Sequence, residues 1–216
     1  MAKPKKTALA PVSNGAASQI ESTEPYVARV TVQGSAPLLF HNYNVESVAE
    51  KGKAAKGSTQ KKFDDLESYV YRVSDDDRRL GVPGMNFCSS LAIAAKSMQD
   101  PRSPRKSMMD LVKASVIPLD TVAPFVPDVT EWDYVDTRRV VVQRAAISRQ
   151  RPAMNKGWRI TFALAIQAPE YIPSDVLQQL VQRAGMFQGL GDFRPTFGRF
   201  FVVHFEVGNL DLDAAA

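Results

Sequence analysis

From Tyr26 the chain alternates. In YVARVTVQG, Val27, Val30 and Val32 stand among polar residues, a pattern that predicts a strand over 26–33. SAPLLFHNYNV carries that strand into a turn. EKGKAAKGSTQKK has glycines and lysines but no apolar period, and reads as a flexible basic loop. In KFDDLESYVYRV, Phe63, Leu66, Tyr69, Val70 and Val73 recur near helical spacing and predict a short helix. Pro83-Gly84 marks a turn, after which Phe87, Leu91, Ala94, Ala95 and Met98 share one face of a helix over 84–98. DPRSPRKS ends that helix as a second basic loop, and VIPLDTVAPFVP is proline-rich and extended. DTRRVVVQRAAISRQRPAM reads as one long strand over 138–150 and GWRITFALAIQ as another over 157–167, paired through the turn PAMNKG. Val176, Leu177, Leu180, Val181 and Ala184 form the stripe of a helix over 174–187, and RFFVVHFEV closes with a strand over 199–207.

The resulting order, β-α-β-β-α-β, predicts an α+β fold with a ferredoxin-like core and long inserted loops. The domain is expected over 26–208, with insertions at 44–82 and 99–136. A disordered basic arm, 1–25, precedes it, and a loose tail, 209–216, follows. Two helices on one sheet face leave the other face open, a common platform for single strands.

Composition narrows the function classes. At 216 residues the chain can bury a sizeable core, and 44% hydrophobic with 23% charged residues is the balance of a soluble globular protein. No apolar run reaches bilayer length, and MAKPKKTALAPVSNGAASQ lacks the apolar stretch of a secretory signal. Cys88 is the only cysteine, which rules out an intramolecular disulfide and a thiolate metal cluster, and a cytoplasmic location is expected. Within its helix Cys88 reads as a small buried residue. His41 and His204 are the only histidines, and neither has a partner at metal-ligand spacing. With no Walker pattern, serine elbow or paired-carboxylate site, no cofactor and no metal are expected.

Chemistry concentrates near the C-terminus, in GLGDFRPTFGRF, Gly189 to Phe200. Gly191 and Gly198 permit backbone geometry that other residues resist, and Gly185 or Gly189 can cap the preceding helix. Such a corner can present amide groups to an anion, with Arg194 and Arg199 beside it. The plainer reading is a packed corner with Phe197 and Phe200 facing the core. The matching residues here, GLG at 189–191 and FGRF at 197–200, lie between the second helix and the last strand. In that position they resemble the glycine-rich loop of the RAMP superfamily, the CRISPR backbone subunits and repeat-processing endoribonucleases. That resemblance implies binding of RNA or another single-stranded nucleic acid. LGVPGMNFCSSLAIAAK and RPAMNKGWRITFALAI, with the glycine loop, also look like uncharacterised bacteriophage proteins. This second likeness implies a source, with the host cytoplasm as location, and no activity.

Charge distribution supports the same expectation. No acidic residue lies between Asp136 and Glu170, while Arg138, Arg139, Arg144, Arg149, Arg151, Lys156 and Arg159 do. Taken as one strand, strict alternation places Arg139, Arg149 and Arg151 on one face and Arg138 and Arg144 on the other, and a bulge would merge them. The lysines of the first basic loop, Lys51, Lys53, Lys56, Lys61 and Lys62, and then Arg102, Arg105 and Lys106 add two further basic segments. Phosphate neutralisation explains such an accumulation. The alternative is a basic surface without a ligand. Trp158 and Phe193 are candidates to stack on bases, with core packing as the equal alternative. The expected function is therefore non-catalytic binding of single-stranded RNA or DNA, with copies assembling along the strand. One alternative is a metal-independent endoribonuclease using His41 as general base or acid. Another is a protein-interaction module whose basic patches meet an acidic partner.

Overall fold

The computed structural model describes residues 24–42, 65–74, 76–142 and 145–209, without the side chains of 140–147. The first strand, β1 (Tyr26–Gly34), is central to a four-stranded antiparallel sheet. Its neighbours are β10 (Arg159–Ile166) on one side and β11 (Phe200–Asn209) on the other. The fourth strand is β6 (Val116–Pro118), paired with β10, so the order is β11-β1-β10-β6. Alternation works as expected. Tyr26, Ala28, Val30 and Val32 are buried on one face, while Arg29 on the other face is exposed.

Two helices pack on the apolar face. The first, α1 (Gly84–Ala94), follows β3 (Gly81–Pro83) and tightens into a 3-10 turn at Ala95–Ser97. Phe87 stacks on Phe162 at 4.2 Å between ring centroids and lies 6.0 Å from Phe200, tying α1 to β10 and β11. All three rings are buried, and removing one from such a site costs about 3–5 kcal/mol. The short α2 (Met109–Ser115) leads directly into β6. The third helix, α3 (Ser174–Phe187), spans the predicted 174–187 and buries Leu177, Leu180, Val181 and Ala184. Burial raises the Cys88 thiol to about 12, in keeping with a packing role.

The structure corrects the reading of the middle of the chain. The segment taken as one strand over 138–150 is a hairpin, β8 (Tyr134–Val142) and β9 (Ala145–Met154). Val142 pairs with Ala145, and the Gln-Arg that separates them in the sequence carries no glycine, proline or asparagine to announce a turn. β9 pairs not with β10 but with β2 (Leu38–Leu39), making a separate sheet of order β2-β9-β8. The core position assigned to that segment is taken by β6, only three residues long and inside the stretch read as proline-rich and extended. Register also overturns the face assignment, since Arg138 lies opposite Arg149 and Asp136 opposite Arg151. Arg138 therefore shares a face with Arg149 and Arg151, and Arg139 takes the other. The helix predicted within 63–73 is a single 3-10 turn, Glu67–Tyr69. The loop DPRSPRKS contributes to a small hairpin, β4 (Gln99–Asp100) with β5 (Ser103–Ser107), and β3 pairs with β7 (Val122–Pro124).

The two main sheets meet at the glycine corner between α3 and β11. Gly198 N–H donates to Pro37 O at 2.7 Å, and Asp192 N–H donates to Leu39 O at 3.0 Å. The corner thus flanks β2, whose residues pair with Ala153 and Met154 of β9. Leu39, Ala153 and Phe197 are buried together in this joint. Gly198 has φ +70°, and a β-carbon there would lie 1.7 Å from Leu190 O. Gly191, at φ +71°, would bring one to 2.4 Å from Leu39 O. No L side chain fits either position without moving the backbone.

Gly198→Ala is therefore expected to lower unfolding stability by about 3 kcal/mol or more. Gly208→Ala, whose added carbon meets nothing within 4 Å, should change it by less than about 0.5 kcal/mol. Urea midpoints measured at unchanged slope check this, and equal midpoints for the two variants would refute the corner as a close-packed joint.

Candidate nucleic-acid interface

The corner brings together groups distant in sequence. His41, just after β2, Tyr71, Asn86 of α1, Arg151 of β9, Asp192 and Arg194 line an open polar cleft of about 260 Å³ floored in part by Gly191. Tyr71 donates its hydroxyl to His41 O at 3.2 Å. Burial raises the Tyr71 phenol above its ordinary range; a hydrogen bond with Asn86 works against that and the Asp192 charge with it. The His41 ring stacks on Tyr69 with centroids 5.3 Å apart. Ser90 of α1 donates to Gly189 O at 2.9 Å, fixing the corner against that helix.

Arginines behind the cleft are structural as well as cationic. Arg151 is 8% exposed and forms an ion pair with Asp192 through Nε and Oδ2. Its guanidinium also sits 4.6 Å from the Phe193 ring centroid. Arg138 is paired to Asp136 and lies 5.6 Å from Phe193 and 4.2 Å from Phe197. Two guanidinium groups thus lie within cation–π reach of Phe193, and its φ of +52° is a strained value for a residue with a β-carbon. These contacts clamp the corner to the β8–β9 hairpin. Phe193, for which stacking on a base and packing were equal alternatives, is half-buried in these contacts.

The remaining candidates divide. Trp158 is 6% exposed and donates its indole N–H to Ala36 O at 2.9 Å, the core packing that stood as the equal alternative to base stacking. Arg102 is held by Asp100 through two hydrogen bonds of 3.0 and 2.8 Å, far from a free phosphate ligand in character. Arg105 and Lys106 are exposed on β5. Arg199 donates to Pro195 O at 2.7 Å within the corner, a contact that leaves its charge uncompensated. Arg194 is exposed at the cleft and forms no ion pair among the described residues. Arg149 faces the same side of the hairpin as Arg138 and Arg151. Lys51, Lys53 and Lys56, the rest of the 44–62 loop and Arg144 lie outside the described residues. His204, read as structural, is exposed on β11, 3.7 Å from Glu206. Asp192, Asn86 and Tyr71 were missed by sequence reading. Only Asp192 carried a signal, its place inside the glycine segment.

Among the described residues no group of three or more His, Cys, Asp or Glu could hold a metal ion, and no helix is long and apolar enough to cross a membrane. No protein-family model matches the chain, and no curated protein matches it. A solved chain in "Cryo-EM structure of the Type III-B Cmr-beta bound to cognate target RNA" is similar to it at a TM-score of 0.47 and 10% identity. The similarity covers 89% of this chain and 62% of that one.

The Asp100–Arg102 pair makes a separate prediction. The side-chain hydrogen bond from Arg102 holds the Asp100 carboxyl down at about 2, against 3.8 for the unperturbed group. A carboxyl depressed on folding stabilises the fold above its unfolded value. That contribution is lost as pH falls through about 4 toward about 2. Acid unfolding of Asp100→Asn should lack this part of the pH dependence. A variant with the wild-type profile would show that the pair does not matter to stability.

Proposed function

We propose that the chain binds single-stranded nucleic acid, RNA or DNA, across the glycine corner and the β8–β9 hairpin, without cleaving it. The observation that carries this reading is the charge left at the corner after internal pairing. Asp136 and Asp192 compensate Arg138 and Arg151. Among the described residues no carboxylate pairs with Arg194 or Arg199, the two cations of the corner itself. Unmixed cations on a surface repel one another, and a phosphate backbone relieves that repulsion with release of counterions. The order β11-β1-β10-β6, with α1 and α3 on one face, supports a ferredoxin-like core of the kind the glycine-loop resemblance implies. A phosphate tracking past Arg194 and Arg199 would run along the rim of the polar cleft.

The test is the salt dependence of binding to a short single strand. Each phosphate contact contributes about −0.7 to the log–log slope. Arg194→Ala should flatten the slope by about that amount for any base sequence, with stability changed by less than about 0.5 kcal/mol. Arg151→Ala is a contrasting case. It leaves Asp192 without its partner and should destabilise the fold by about 3 kcal/mol, so a loss of affinity there reports on structure. Wild-type affinity and slope in folded Arg194→Ala would remove the corner from the binding surface and favour the protein-interaction reading.

One geometric observation keeps the enzyme alternative open to test. His41 lines the same cleft as Arg194, the pairing of a possible proton-transfer group with a cation. No described residue supplies a second acid or base hydrogen-bonded to the imidazole. Labelled single-stranded RNA and DNA should therefore remain intact with the protein, both in chelator and with magnesium. Reproducible cleavage that disappears in His41→Ala would establish the endoribonuclease instead.

A further inference from the structure

The cleft at the corner is poorly suited to a phosphate, because Asp192 puts a carboxylate in its wall. It is well suited to a polar group that both donates and accepts. We infer that it receives one unstacked guanine of the bound strand. This rests on the nucleic-acid reading above and adds to it a base preference and a site.

Three features carry the inference. The first is size and shape. A cleft of about 260 Å³, open on one side, takes a single planar ring system and leaves sugar and phosphate outside, where Arg194 is exposed. The second is the pairing of opposite functions. Arg151 only donates hydrogen bonds and Asp192 only accepts them. The two form an ion pair with each other, and both line the cleft. The Watson–Crick edge of guanine presents an acceptor, O6, followed by two donors, N1–H and the N2 amino group. A guanidinium beside a carboxylate complements that sequence. Uracil and adenine each present a single donor position on this edge, and cytosine presents one donor and two acceptors. The third feature is a ready stacking surface. His41 lies against Tyr69 with ring planes 23° apart and lines the cleft, so a base entering there extends an existing stack. Tyr71 holds the backbone of His41 through its hydroxyl, which keeps that ring in place before the base arrives.

The experiment measures fluorescence anisotropy of the full chain on short oligouridylates carrying one central guanine, adenine, cytosine or inosine, with oligothymidylate counterparts. The guanine strand should bind about tenfold tighter than the adenine or cytosine strand. Inosine, which lacks the N2 amino group, should fall between. Asp192→Asn should abolish the preference while binding to every strand persists and stays steeply salt-dependent. His41→Ala should weaken the guanine strand most. If Asp192→Asn fails to fold, the inosine comparison still decides, because it alters only the ligand. Equal affinity for all central bases, or a preference for adenine, overturns the inference and leaves the nucleic-acid reading standing. Failure of every RNA and DNA strand to bind overturns both.

Discussion

The close approach of Gly198 to Leu190 is the constraint on which the rest of this molecule depends. It is possible only because no β-carbon stands between them. With the chain folded that tightly, Leu190 N–H reaches Gly198 O at 2.9 Å, while Gly198 N–H turns outward to Pro37, just before β2, and Asp192 N–H to Leu39 of β2. β2 in turn is paired to β9. The corner is therefore a hydrogen-bonded junction between a sheet covered by two helices and a hairpin that would otherwise have little to rest on. A two-stranded ribbon is marginal in isolation, and the buried joint of Leu39, Ala153 and Phe197 supplies the apolar contact it lacks. The abundance of special residues in GLGDFRPTFGRF follows from the number of strands this one connection has to hold.

Arginine plays two parts at that junction. Arg138 and Arg151 face the phenylalanines of the corner, with carboxylates close enough to neutralise them. Taking such a charge out of water is costly, and the aromatic faces and paired carboxylates offset the cost. Arg194 and Arg199 face outward and keep their charge available. A basic segment thus becomes a neutralised inner layer that stiffens the hairpin joint and a charged outer rim. The first makes the geometry of the second reproducible.

Much of the fold was legible from local pattern. Alternation located β1, β10 and β11, and the helical stripes located α1 and α3, because burial on one face imposes its period on nearby residues. The glycine segment was legible as a constrained corner. Less could be read between 99 and 154. β6 is too short to show a period. The sequence between Val142 and Ala145 holds no residue with a turn preference, and what joins β8 to β9 is their long cross-strand pairing. Missing that reversal also exchanged the faces of Arg138 and Arg139, because parity along one strand does not carry through a turn.

The sequence alone was enough to specify the class of fold, the position of the special corner and the excess of cations around it. These are consequences of composition and of spacing within a few residues. Partnership was decided only by the tertiary structure. It buried Trp158 beneath Ala36, paired Arg102 with Asp100 and Arg151 with Asp192, and set His41 and Asn86 around one cleft. A charge or a ring in a sequence is available in principle to any ligand. Whether it remains available depends on which distant carboxylate, carbonyl or ring the folded backbone brings within a few ångströms, and no local period encodes that distance.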